Sequence, residues 1–258
     1  MVKKYSAPSV NKAFEILKAI SSTKKGMGVS EIATDLHIAK STVHGITSAL
    51  EELGAVIRNP STKRYTLGFT LFELGQSAYS HIDRKALSRP IMEKLMERTQ
   101  ESVFYGTLNS DRVTILDKVE SGHDMKITSP VGSSLPLLAG AVGKVFLAGM
   151  EESQARRIIR AQGLTRYTDN SITDVDRYIS ELRRVKKQGY AVDNEEYILG
   201  VRAVAAPVKG DWQEMSAIWV VGFKTSVDDL KMEALIEQTG EAAKAISMKI
   251  EKDAFVND

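Results

Sequence analysis

The 258-residue sequence contains no cysteine. Disulfides, thiolate metal sites and a cysteine nucleophile are excluded together. Histidine is scarce: His37, His44, His81 and His123 are the four, and no two stand at metal-ligand spacing. No apolar run is long enough to span a bilayer, and Met1-Val2-Lys3-Lys4-Tyr5 lacks the apolar centre of a secretory leader. A cytoplasmic protein with no membrane partner, no metal and no other cofactor is expected. Internal repeats and low-complexity stretches are also missing. What remains is ordinary for globular proteins, at 43% hydrophobic and 26% charged residues, and the length suits two domains.

The net charge of +2 conceals an asymmetry. Residues 1–77 hold 10 Lys and Arg against 6 Asp and Glu, whereas the remainder holds 25 against 27. Positive charge gathers where contacts to phosphate would need it, although a basic excess alone is equally a solvated surface. Pattern separates the two. Val10, Ala13, Phe14, Ile16, Leu17 and Ile20 recur at helical spacing and predict a helix over 9–21. Ser30 can cap a short second helix carrying Ile32, Ala33 and Leu36, and Ser41 a third carrying Val43, Ile46, Leu50 and Leu53.

The opposite face of that third helix holds Lys40, Ser41, Thr42, His44, Gly45 and Ser48, with no acid before Glu51. Short side chains, hydroxyls and an absence of carboxylates are what entry into a major groove requires. After Gly54 the period changes to two over 55–59 and 64–67, predicting a hairpin with Arg58, Lys63 and Arg64 near its tip. A hairpin directly after such a helix reads as the wing of a winged helix-turn-helix, its basic residues meeting DNA backbone.

Phe69, Leu71, Phe72, Leu74 and Ala78 suggest a helix leaving the wing, followed by another over 86–99. The domain boundary is placed between 1–77 and 78–258. Beyond it, strands are predicted over 102–108, 112–119, 125–129, 202–208 and 217–223. Helices are predicted over 140–148, 151–162, 172–188 (capped by Ser171) and 227–252. Segregated helices and antiparallel strands indicate an α+β domain.

Gly140-Ala141-Val142-Gly143-Lys144 fails the Walker pattern, with Leu138 where Gly is needed and Val145 where Ser or Thr is needed. No nucleophile elbow or catalytic triad is found, so an enzyme is not expected. The Gly- and Ala-rich helix start could expose backbone N–H groups to an anion, or could serve close packing of helix on sheet; chemistry alone leaves both open.

The run Gly189-Tyr190-Ala191-Val192-Asp193-Asn194-Glu195-Glu196, followed by Leu199-Gly200-Val201-Arg202-Ala203-Val204-Ala205-Ala206-Pro207-Val208, resembles the IclR-type bacterial transcriptional regulators. Residues 9–17, Ala39-Lys40-Ser41-Thr42-Val43-His44, Arg64-Tyr65-Thr66-Leu67-Gly68 and the Gly140–Lys144 run extend the likeness over nearly the whole chain. The resemblance implies a GAF-like mixed α/β effector-binding domain behind the winged helix-turn-helix, and homodimers or tetramers on palindromic double-stranded operators. It implies a repressor more readily than an activator. The implied effector is a small organic acid whose carboxylate meets the backbone at Gly140 and Ala141. Asp193 matches a polar pocket position, and Ile127, Val201 and Ala203 fall near wall positions.

Departures from the family pattern are concentrated in the pocket. Trp219 and Val221 stand where relatives carry serines, Leu138 where a His is common and Ala203 where a Cys is common. Period-two alternation puts Trp219 and Val221 on one face. An aromatic or apolar-bodied acid is expected, unless Trp219 fills the pocket and leaves the regulator blind to effectors. A ligand sensor acting through protein contacts is the other alternative. Gly45 replaces an Arg frequent in relatives, so operator preference is not transferable.

Overall fold

The chain divides into two compact units, residues 1–83 and 84–258. A computed structural model describes residues 7–80, 84–209 and 215–254. The N-terminal Met1-Val2-Lys3-Lys4-Tyr5 lies outside the described residues.

In the first unit, α1 (Pro8–Ser21), α2 (Val29–Asp35) and α3 (Lys40–Glu52) precede the strands β1 (Val56–Arg58) and β2 (Tyr65–Leu67), and α4 (Phe69–Ser80) follows. Ile16, Ile20, Ile32, Val43, Leu50 and Tyr65 form its core. The predicted stripe on α1 splits: Ile16 and Ile20 are buried, whereas Val10 and Phe14 are 55% and 60% exposed. At about 100° per residue, positions 10 and 14 sit around the helix from positions 16 and 20. The cap assignments also change. Gly28 caps α2, where Glu31 reaches back to accept the Gly28 N–H at 2.9 Å. Ala39 precedes α3 without a side-chain cap, which leaves Ser41 inside the helix with its side chain exposed.

The second unit is a three-layer stack around a six-stranded antiparallel sheet of order β5-β4-β3-β8-β7-β6. Its strands are β3 (Ser102–Asn109), β4 (Arg112–Val119), β5 (Ser134–Pro136), β6 (Ala191–Asn194), β7 (Val201–Val208) and β8 (Ser216–Phe223). On one face lie α5 (Arg84–Thr99) and α9 (Asp229–Ala254); on the other lie α6 (Gly140–Gly149), α7 (Glu152–Gln162) and α8 (Val175–Gln188). Alternation builds two cores: Ala217 and Trp219 of β8 face α6, whereas Ile218 and Val220 face α5 and α9.

Residues 125–129, expected as a strand, form none. The edge of β4 is instead occupied by β5, which pairs Ser134 with Thr114 and Pro136 with Arg112. Pro130 follows at once, and the Thr128 hydroxyl is bound to Lys118 Nζ at 2.9 Å. Asp174, not Ser171, caps α8, accepting the Arg177 N–H at 2.8 Å. Ser171 closes the preceding turn by accepting from the N–H groups of Tyr167 and Thr168 and donating to the Glu196 carbonyl.

Candidate DNA-facing surface and effector cavity

On α3, Val43, Thr47 and Leu50 turn inward, and the buried Thr47 hydroxyl donates to the Val43 carbonyl at 2.9 Å. Lys40, Ser41, His44 and Gly45 are exposed, while Thr42 and Ser48 are half-buried at the margin. All six expected positions therefore share the outer surface of one helix. Ser48 Oγ approaches His44 Nδ1 at 3.5 Å, a contact that loosely orders this face.

The wing is held at both ends. At its tip, the Asn59 carboxamide accepts the N–H groups of Ser61 and Thr62 at 2.9 Å each, and the Asn59 carbonyl accepts that of Lys63. At its root, Tyr65 exchanges two backbone hydrogen bonds with Met27. The three wing cations differ in kind. Arg58 and Lys63 are exposed, with the Arg58 guanidinium 5.7 Å from the Tyr65 ring centroid. Arg64 folds inward instead, pairing with Glu31 at 2.8 Å and donating to the Gly26 carbonyl at 3.0 Å. Its donors tie the wing to α2, an arrangement that neither charge nor period indicates.

In the second unit a cavity of about 220 Å³ opens between the sheet, the start of α6 and the loop before β5. Ile127, Gly140, Ala141, Asp193, Val201, Ala203, Trp219 and Val221, the eight positions expected around an effector, all line it. The sheet side is aromatic and aliphatic: Trp219 stacks on Phe104 with centroids 5.7 Å apart and planes 15° from parallel. Phe104, Ile115, Thr128, Ser129 and Tyr197 also line the cavity, positions that the sequence does not single out. Alternation around Val113 and Gly106 could have marked Ile115 and Phe104. Thr128 and Ser129 follow Ile127 directly, in a segment misread as strand.

At the helix side, Gly140 has φ +67° and lies so close to Asp193 that a Cβ there would stand 3.1 Å from Oδ2. Both conditions favour glycine. The close-packing reading of the Gly- and Ala-rich start is seen at Gly143, three residues on from Gly140. Gly140 and Ala141 face the cavity, whereas Gly143 packs on β5's approach, where a Cβ would fall 1.8 Å from the Leu137 carbonyl oxygen. The first N–H groups of a helix have no acceptor within it, and Ala139, Gly140, Ala141 and Val142 at that end of α6 line the cavity.

Asp193 is the buried carboxyl of this wall, at 4% exposure. Its Oδ1 accepts the Glu196 N–H at 2.6 Å. Burial, with the neighbouring Glu196 charge, pushes its pKa up to about 6 against the opposing pull of that hydrogen bond and of the Lys144 ammonium. Behind it, the fully buried Lys144 donates to the Val192 carbonyl at 2.9 Å and to Glu196 Oε1 at 2.6 Å. Tyr178, whose hydroxyl finds no partner among the described residues, has its pKa raised by burial. Among the described residues no cluster of His, Asp and Glu could hold a metal ion, and no helix is long and apolar enough to cross a membrane.

Residues 9–60 match the IclR helix-turn-helix domain, and residues 76–248 match the bacterial transcriptional regulator IclR C-terminal domain. The chain belongs to the IclR family of bacterial transcriptional regulators. It is 32% identical over 249 residues to the HTH-type transcriptional regulator BhcR of Paracoccus denitrificans, covering 95% of this chain and 89% of that protein. It is 26% identical to the transcriptional repressor IclR of Escherichia coli, over 93% and 89% of the two chains. The fold matches an IclR homolog from Microbacterium hydrocarbonoxydans, solved with 4-hydroxybenzoate, at a TM-score of 0.80 and 20% identity, covering 95% and 99%. The winged helix-turn-helix followed by a mixed α/β domain is thus the family architecture, and regulation of transcription through DNA is the family function.

Proposed function

We propose that this regulator is a cytoplasmic, non-enzymatic repressor whose grip on a double-stranded operator is set by a small aromatic or apolar-bodied carboxylic acid. Residues 1–77 carry the DNA contacts and 78–258 the effector and oligomer contacts. Lys40, Arg58 and Lys63 meet phosphates, and Ser41, Thr42, His44 and Ser48 approach base edges, with Gly45 admitting close contact. Arg64 serves the same surface by fixing the wing. The exposed apolar side chains of α1 and α4, including Phe14, Phe69 and Phe72, support a further pairing contact within residues 1–77 in a dimer or tetramer.

The observation that carries the effector reading is the cavity itself, which persists beside Trp219. Its volume of about 220 Å³ falls below the roughly 300–1,000 Å³ of pockets for drug-sized ligands, which favours a single-ring acid. The Phe104–Trp219 stack supplies a flat apolar wall, and the α6 start supplies donors for a carboxylate. The persistent cavity argues against a pocket filled by Trp219. The family relative crystallised with 4-hydroxybenzoate lends the ligand class a precedent in that protein.

Thermal shift with benzoate, 4-hydroxybenzoate and acetate tests the reading. The aromatic acids should raise the melting temperature at concentrations where acetate does not, since binding stabilises by RT ln(1 + [L]/Kd). Equal shifts for all three would remove the aromatic wall from recognition. DNA affinity that stays flat with salt would favour the alternative of a sensor acting through protein contacts.

A further inference from the structure

Among the described residues that line the cavity, Asp193 is the only carboxylate and none is Lys or Arg. Every charged group near Asp193 is already engaged. From α6, Lys144 is bound to Glu196 and lies 3.9 Å from Glu181 of α8. In the turn after β6, Glu195 is bound to Lys224 and to the Gly200 N–H. From β7, Arg202 pairs with Asp229 at 2.8 Å, while its neighbour Ala203 is the strand partner of Asp193. Lys126, beside the lining loop, donates to the Ser121 carbonyl. From β4, Lys118 is bound to Glu120 and to Thr128 of the lining loop. Arg112, also of β4, whose charge acts on Tyr197, donates to Ser134. Tyr178 and Tyr197 are neutral phenols with raised pKa values.

A ligand carboxylate resting on the first N–H groups of α6 therefore meets a second carboxylate and, among the described residues lining the cavity, no cation. A Cβ built on Gly140 would stand 3.1 Å from Asp193 Oδ2, so a carboxylate held at the Gly140 N–H would come within the few ångströms over which two carboxyl groups resist ionising together. We propose that an acid bound in this cavity shares one proton with Asp193, so the protein takes up a proton with each carboxylate it binds. The inference rests on reading this cavity as the effector site. Its consequence is a sensor for acid and proton together, with Asp193 rejecting the anion when the pair is fully ionised.

The direction follows from the free state, in which Asp193 titrates at about 6. It is half protonated at pH 6 and about one part in a hundred protonated at pH 8, so affinity should fall about 50-fold between them. The experiment is calorimetric titration of the full chain with benzoate and 4-hydroxybenzoate. Runs at pH 7 use PIPES and imidazole buffers, whose ionisation enthalpies differ. The wild type should show an enthalpy difference equivalent to uptake of about 0.9 proton, the fraction of Asp193 ionised at that pH. Asp193→Asn should show none, and its affinity should be level from pH 6 to 8. Binding with equal enthalpies in both buffers would overturn the shared proton and leave the effector site standing. Failure of both acids to bind even at pH 6 would remove the proposal and the site together.

Discussion

A carboxyl group 96% withdrawn from solvent, on a largely apolar wall, opposes folding once it ionises, and Asp193 is in that position. Its folded pKa of about 6 exceeds the ordinary 3.8. The stability it contributes is accordingly complete below about pH 4 and lost as pH rises through 6. Asp193→Asn should match the wild type at pH 4 and exceed it by roughly 2–3 kcal/mol at pH 8 in urea unfolding. A variant no more stable at pH 8 would mean that the carboxylate is better solvated than its burial indicates. Trp219 faces the same cavity from β8. Trp219→Ser should open the wall and add a hydroxyl, extending binding to more polar acids and weakening that of benzoate; unchanged selectivity in calorimetry would remove the indole from recognition. On the DNA side, Lys40→Ala should weaken binding similarly on all sequences and reduce the salt slope by about one. A loss confined to one operator would instead make it a base contact.

Among the elements, α6 and the wing are held by polar ties rather than by apolar area alone. Lys144 joins α6 to the β6 turn through Val192 and Glu196, at the back of the cavity. Lys144→Ala would leave the part-buried Glu196 without its cationic partner and should cost roughly 3–5 kcal/mol, read as a lowered urea midpoint. A midpoint shifted by less than about 1 kcal/mol would show that water replaces the ammonium. The wing anchor gives a sharper contrast. Glu31→Ala removes a negative charge from a DNA-facing unit, yet should weaken operator binding, because Arg64 loses the partner that fixes the wing. Tighter binding would show that bulk charge outweighs wing placement.

Such ties also mark the limit of what is readable from the chain. The expected bounds of β3, β4, β7 and β8 fall within about a residue of the observed ones, because each is a long apolar run that is mostly buried. Of these, β4 alternates and the other three are buried on both faces. β5 and β6 span three and four residues, too short to display a period, and 125–129 has β-forming side chains but no free strand edge to join. The cavity positions drawn from the family pattern lie together around one space. Phe104 and Ile115 complete that space from segments that carry no motif, and Tyr197 from the gap between the two motif runs. The caps expected at Ser30 and Ser171 are taken by nearby competitors, Gly28 with Glu31 in the first case and Asp174 in the second. The third helix, α3, starts at Ala39 without a side-chain cap, so Ser41 has no such role.

At the scale of the whole molecule, an IclR-family regulator joins a DNA-reading unit to a unit with a small apolar cavity. Occupancy of the cavity can alter operator affinity only if the acid binds the DNA-competent and DNA-incompetent forms unequally. Fluorescence anisotropy of a labelled duplex from the chain's own upstream region, titrated with the full protein with and without 4-hydroxybenzoate, measures that coupling directly. The account predicts salt-sensitive binding whose affinity shifts about 5-fold or more with the aromatic acid and not with acetate. Operator affinity unchanged at concentrations of acid that saturate the cavity would contradict it.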